Sequence, residues 1–150
     1  MKIEKEIKQT QKFQSEYHKL TVNILYTASW INQLYTQKLK KFDLTPQQFN
    51  ILRILRGQHP SPATVNLLID RMIDKSSNAS RLVDRLQEKG FASRGMNETD
   101  KRAVNVMITQ KGLETLKIID EDTHLLGEIT AALSKNETVE LNRLLDKIRG

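Results

Sequence analysis

Apolar residues in the first forty positions recur mostly at steps of three, four or seven: Phe13, Tyr17, Leu20, Ile24, Ile31, Leu34 and Tyr35. That is the period of an amphipathic helix. No Gly or Pro intervenes, so the spacing predicts one long helix over 5–40. Leu44-Thr45-Pro46-Gln47-Gln48 then restarts a helix. Thr45 suits the N-cap, Pro46 the first helical position, and Gln48 completes a capping box. Phe49, Leu52 and Leu55 continue the apolar face, and Gly57 is placed to stop it.

Residues 58–64, QHPSPAT, form a connector with room for an edge strand of two or three residues. Thr64 can cap a short helix over 65–72 with Leu68, Ile69 and Met72 inward. After the turn IDKSS, Asp74 or Ser76 is the expected cap of a helix that runs to Lys89 and ends at Gly90. Residues 91–96 and 103–108 read as strands, with Val104, Val106 and Ile108 on one face and Asn105 and Met107 on the other. The charged stretch Glu98-Thr99-Asp100-Lys101-Arg102 joins them into a hairpin. Thr109 caps a long helix expected to reach about Ala132. Ser134 and Glu137 form a second capping box before a last helix through Leu141, Leu144, Leu145 and Ile148.

The predicted fold is mainly α with a small β-wing: a winged helix-turn-helix flanked by long N- and C-terminal dimerisation helices. It forms a single domain over 1–150, with a winged lobe at 42–109 and a helical lobe from 1–41 and 110–150. The terminal helices are apolar over more surface than one small core needs, which points to a second copy of the chain as partner.

Charge sharpens this picture. The chain carries a net +6, but unevenly. Residues 1–41 hold eight lysines against three carboxylates. Residues 71–102 hold eight Lys/Arg against five carboxylates, and most of the arginine is here. Arginine suits bidentate contact with phosphate or base edges. The absence of Cys excludes disulfides, thiolate metal sites and thiol redox sensing. His18, His59 and His124 lack the spacing of a zinc site and read as surface or interface residues. No metal or cofactor is expected. Nothing is long and apolar enough to span a membrane, the N-terminus lacks an apolar signal region, and a cytoplasmic location is expected. Walker, dinucleotide-binding, nucleophile-elbow and zincin motifs are all missing, which argues against an enzyme.

The helix Ser76–Lys89 carries the candidate chemistry. Ala79, Leu82, Val83 and Leu86 face the core, while Ser77, Ser80, Arg81 and Asp84 lie opposite. Its first turn is slim and polar: Ser76, Ser77, Asn78 and Ser80. A helix entering a major groove reads bases from that end. Asn suits adenine, Ser several base edges, and Arg guanine or phosphate. Free N–H groups there also favour phosphate. Ser and Asn at a helix start are otherwise simple caps, so the flanking short helix and hairpin decide the reading. Arg102, at the wing tip, is placed to enter a narrow minor groove. Lys101 would sit near phosphate, and Arg85 and Arg94 add cationic contacts. Asp100 has two readings: a brace on Arg85 that sets the wing angle, or ordinary turn chemistry.

The stretch SSNASRLVDRLQEKGFASR, followed by ETDKRAVNVMITQKG, resembles the multiple-antibiotic-resistance regulator (MarR) family of winged-helix transcription factors. LTPQQFNILRIL and LSKNETVELNRLLDKIR fit as well, so the similarity spans roughly 13–149. The resemblance implies a homodimer on a pseudo-palindromic operator, usually a repressor and often released by a small molecule. It implies Arg102 as the minor-groove arginine, Asp100 as the brace, and Ser76, Ser77, Asn78, Ser80 and Arg81 as major-groove readers. Lys101 replaces the family's usual arginine. Tyr26 and Trp30 lie four apart on the first helix; either Trp30 fills the junction between the dimer helices and the winged lobe, or the two line a pocket for a small aromatic effector. Two other functions stay open: a winged-helix protein-interaction module, and a ligand sensor with incidental DNA affinity.

Overall fold

The computed structural model describes residues 2–96, 104–122 and 131–150. In chain order the helices are α1 (Ile3–Glu6), α2 (Glu16–Leu39), α3 (Pro46–Gln58), α4 (Val65–Arg71), α5 (Ala79–Glu88), α6 (Gln110–Glu121) and α7 (Lys135–Arg149). A 3₁₀ turn, Lys40–Phe42, follows α2. The strands are β1 (Ala63–Thr64), β2 (Ala92–Met96) and β3 (Val104–Ile108), in the spatial order β1-β3-β2 with both pairings antiparallel.

The caps follow local chemistry. The Thr45 hydroxyl accepts the Gln48 N–H at 3.2 Å while the Gln48 side chain accepts the Thr45 N–H at 3.1 Å. Ser134 and Glu137 repeat the arrangement at α7. Thr64 caps α4 and Thr109 caps α6. The hairpin and the two-residue edge strand also form as the sequence suggests.

Five expectations need correcting. The predicted helix over 5–40 is two helices: the chain is non-helical from Ile7 to Ser15, passes through a left-handed Lys8 (φ 50), and restarts where Ser15 accepts the His18 N–H. Helix α3 runs past Gly57 to Gln58. Its end is set by Pro60, which holds the preceding His59 extended. Helix α4 stops at Arg71, and Ile69 is 41% exposed rather than inward. Asn78, not Asp74 or Ser76, caps α5. Helix α6 ends at Glu121, where Asp122 leaves helical geometry, well short of Ala132.

The core is centred in the winged lobe and completed by Leu39 of α2 and by Leu116 and Ile119 of α6. Leu39, Ile51, Leu52, Leu55, Leu68, Val83, Leu86, Val106, Leu116 and Ile119 are essentially sealed from solvent. They come from α3, α4, α5, β3 and α6, plus the end of α2. Helix α6 is pinned across α3 by the Arg56–Asp120 ion pair at 2.5 Å, and Lys41 pairs with Asp122. Gly112 permits the close approach of α6 to the sheet. A Cβ there would lie 2.6 Å from the Phe91 carbonyl oxygen and 2.7 Å from Ile108 Cγ1.

Candidate DNA-binding surface

Helix α5 is anchored at both ends. At its C-terminal end Lys89 reaches across to the α2–α3 corner. Its ammonium donates to the Asp43 carbonyl at 2.6 Å and pairs with the Asp43 carboxylate at 3.2 Å. Gly90 turns the chain at φ +75, a conformation that only glycine adopts without strain. Thr109 then donates to the Gly90 carbonyl, and Lys111 donates to that of Lys89, both at 2.7 Å. These contacts fix the C-terminal end of the helix.

That N-terminal end is built around Asp74. Its carboxylate accepts the Ser76 N–H at 3.0 Å, the Ser76 hydroxyl at 2.6 Å and the Ser77 hydroxyl at 2.8 Å. The hydrogen bonds from Ser76 and then Ser77 hold its carboxyl below the usual carboxylate range, so it is charged at neutral pH. The Ile73 N–H donates to the Asn50 side chain at 3.0 Å, tying this turn to α3. Lys75 folds back onto the free carbonyls of α4, donating to Ile69 at 3.0 Å and also to Asp70. That geometry commits the Lys75 ammonium to the end of α4.

The arrangement changes what each candidate reader offers. Ser76 and Ser77 have committed their single O–H donors to Asp74, so they present acceptor lone pairs. Such groups suit the amino groups of adenine or cytosine and not phosphate. Ser76 is exposed, and Ser77 is half-buried. The Asn78 side-chain carbonyl accepts the Arg81 N–H at 3.0 Å as the helix cap. Its NH₂ group remains as a donor, and one lone pair of its carbonyl oxygen is taken by the cap. Arg81 is exposed and its guanidinium has no partner among the described residues.

Arg94 and Ser80 belong together. The Arg94 guanidinium, on β2, pairs with Asp84 at 2.9 Å and donates to both the Ser80 carbonyl (3.1 Å) and the Ser80 hydroxyl (3.0 Å). Ser80 and Asp84 are one helical turn apart, so one planar fork grips both. Arg94 is thus an internal strut between the wing strand and α5. Its three nearest polar partners went unseen in the sequence because nothing local links position 94 to positions 80 and 84. Arg85 pairs with Glu88 at 2.8 Å on the exposed face. Asp100, Lys101 and Arg102 lie outside the described residues, as does His124.

A model of the MarR family matches residues 42–103, the winged lobe up to the start of β3. The transcriptional regulator MgrA of Staphylococcus aureus, an HTH-type regulator, is 32% identical over 141 residues, covering 89% of this chain and 92% of its own length. The chain belongs to the MarR family of transcriptional regulators. Among solved MarR-family structures, a mutant of Escherichia coli MarR complexed with operator DNA is 26% identical. It covers 92% of this chain and 99% of its own, with a TM-score of 0.78. The fold is shared too by the organohalide-sensing regulator RdhR in its 2,4-dichlorophenol-bound form, at 23% identity and a TM-score of 0.80 over 94% of this chain and 86% of that one.

Outside the winged lobe, this MarR-family chain exposes large apolar side chains along α2 and α7, among them Tyr17, Leu25, Val139, Leu141, Leu144 and Ile148. Tyr26 and Trp30 are also partly exposed on α2. They line a surface cleft of about 330 Å³ with Ile3 and Glu6 of α1, and Trp30 is 45% exposed. The Tyr26 hydroxyl donates to Glu6 at 3.0 Å, which pushes the phenol's pKa up. Helix α1 itself was missed in the sequence, because its apolar content is a single buried residue, Ile3.

Proposed function

We propose that this protein is a dimeric, sequence-specific DNA-binding regulator that represses from a pseudo-palindromic operator. The observation that carries the reading is the tip of α5. It is a polar cluster of Ser76, Ser77, Asn78 and Arg81, its two serines held by Asp74, and it is presented by a helix fixed at its other end. The likeness to a MarR structure in complex with operator DNA supports the same reading. A side-chain cluster organised this tightly at a helix N-terminus has the slenderness and mixed donor–acceptor character that a major groove requires.

In this reading Arg81 and the Asn78 amide meet guanine, thymine O4 or phosphate, and Ser76 and Ser77 accept from base amino groups. Arg102 reaches the adjacent minor groove and Lys101 a phosphate. Arg94 sets the angle between wing and helix and does not contact DNA. Asp100 braces the wing on Arg85; the competing Arg85–Glu88 pair is exposed on both sides, so exchanging it costs little. The apolar faces of α2 and α7 pack on a second copy, which places two α5 helices on one duplex. The residue ranges 42–109 for DNA contact and 1–41 with 110–150 for dimerisation follow from this assignment, as do non-enzymatic action and a cytoplasmic location.

Titrating salt against binding to a duplex tests it. About eight phosphate contacts per dimer would give a log–log slope of about −7 or steeper. A flat dependence would favour the second reading, a winged-helix module that binds protein partners.

A further inference from the structure

We infer that the cleft between α1 and α2 is a binding site for an organic cation that joins a positively charged amine to an apolar group. Among the described residues six line it: Ile3, Glu6, Asn23, Tyr26, Thr27 and Trp30. Glu6 is the charged member of that set. Its Oε2 accepts the Tyr26 hydroxyl at 3.0 Å, and its Oε1 has no partner among the described residues. A carboxylate is thereby held in one orientation with a free acceptor oxygen beside two aromatic rings.

Indole and phenol faces carry negative quadrupole charge and attract cations, indole most strongly. A carboxylate set beside them adds a full charge and a hydrogen-bond acceptor. Ile3, buried beneath α1, supplies apolar surface for the rest of the ligand, and Asn23 and Thr27 provide polar edges. The same features oppose an anion, which would meet the Glu6 charge and the electron-rich ring faces. The chain's net charge of +6 repels a cation at long range. That repulsion is screened beyond about 8 Å at physiological ionic strength, whereas Glu6 acts at contact distance.

The wall that carries Glu6 is docked independently of the cleft. Glu4 pairs with Lys19 at 2.7 Å, and Ile3 is buried. The Glu4–Lys19 pair lies outside the cleft lining, so it holds α1 in place whether or not the cleft is filled. A second hollow of about 420 Å³, at the corner where α2, α5 and α6 meet, is lined by Lys41, Lys89 and Lys111. There the lysines are engaged by Asp122, Asp43 and the Lys89 carbonyl respectively. The α1–α2 cleft is distinguished by its unshared acceptor.

The chain's single tryptophan is Trp30, so its emission reports directly on the cleft. Full-length protein should be titrated with benzyltrimethylammonium, and separately with benzyl alcohol and phenylacetate as neutral and anionic counterparts. The cation should give a saturable change in emission, the alcohol a response at least tenfold weaker, and phenylacetate none. Glu6→Gln should weaken the cation at least tenfold with the circular dichroism spectrum unchanged. Lys19→Met undocks the Glu4 pair but keeps the Glu6 charge, and it should weaken the cation less than Glu6→Gln does. Equal affinity for phenylacetate, wild-type affinity in Glu6→Gln, or no saturable response to the cation would each overturn the assignment. Glu6→Gln should leave duplex binding unaltered, so failure of the cleft proposal and failure of the operator reading are separate results.

Discussion

The winged lobe and the terminal helices solve the problem of burying apolar surface in opposite ways. Every buried apolar residue among those described, except Ile3, lies between Leu39 and Ile119. Helix α7 spans fifteen residues and buries none of them, leaving Val139 61% and Ile148 57% exposed. Helix α2 spans twenty-four residues and buries only Leu39, at its last position. Yet α7 carries a full capping box and apolar residues at helical spacing. A helix that is well started and one-sided, yet buries no residue among those described, has an apolar face open to a further packing partner. The winged lobe, completed by Leu39 of α2 and by α6, holds the core, whereas α7 and most of α2 leave their apolar residues exposed among the described residues.

The largest expected effect is in the lobe. Leu52→Ala should lower stability by about 3–4 kcal/mol, measured by denaturant unfolding, because the site is sealed on every side. Gly112→Ala should cost about 2–3 kcal/mol, since its Cβ would overlap the Phe91 carbonyl and Ile108. If either variant unfolds at the wild-type midpoint, the lobe's packing is misassigned. On α7, the double change Leu144→Glu and Ile148→Glu should instead convert dimer to monomer in analytical ultracentrifugation, with the lobe still folded. A variant that stays dimeric would remove α7 from the interface.

At the DNA surface the effects are smaller and more specific. Arg102→Ala should weaken operator binding by about 1–3 kcal/mol without unfolding the protein. Asp84→Asn separates two roles for Arg94. If Arg94 is a strut, releasing it loosens the wing and weakens duplex binding, although a negative charge has been removed. Tighter binding would mean that Arg94 contacts phosphate and that Asp84 only restrained it. The smallest effect concerns the start of α7. The Ser134 hydroxyl and N–H lower the pKa of Glu137 below its ordinary value of 4.5. A depressed carboxyl contributes stability that is present above its unfolded pKa and is lost as pH falls through the folded one. Association through α7 should therefore weaken in wild type as pH falls below the ordinary glutamate range and through the depressed Glu137 value, and less so in Glu137→Gln.

The features legible in the sequence are those set by neighbours three or four positions away. Thr45 with Gln48, Thr109 with Gly112 and Ser134 with Glu137 are each complete within one helical turn, so they could be placed from residue order. The α5 cap was misplaced because Asp74, Ser76 and Asn78 are all competent caps. The competition is settled when Asp74 is satisfied by the two serine hydroxyls, leaving Asn78 to take the Arg81 N–H. Two contacts were out of reach for another reason. The Arg94 fork onto Ser80 and Asp84, and the docking of Glu4 and Glu6 onto α2, join residues separated by 10 to 20 positions. No periodicity encodes them, so Arg94 read as one more surface cation and α1 merged into a single long helix.

Selection of bound duplexes from a random pool tests the central claim most directly, because it reports symmetry and reading together. Two copies presenting the α5 tip should enrich a twofold-symmetric consensus whose half-sites are centred about one helical turn, roughly 10 base pairs, apart. An enriched sequence without a dyad, or no enrichment above the starting pool, would contradict it.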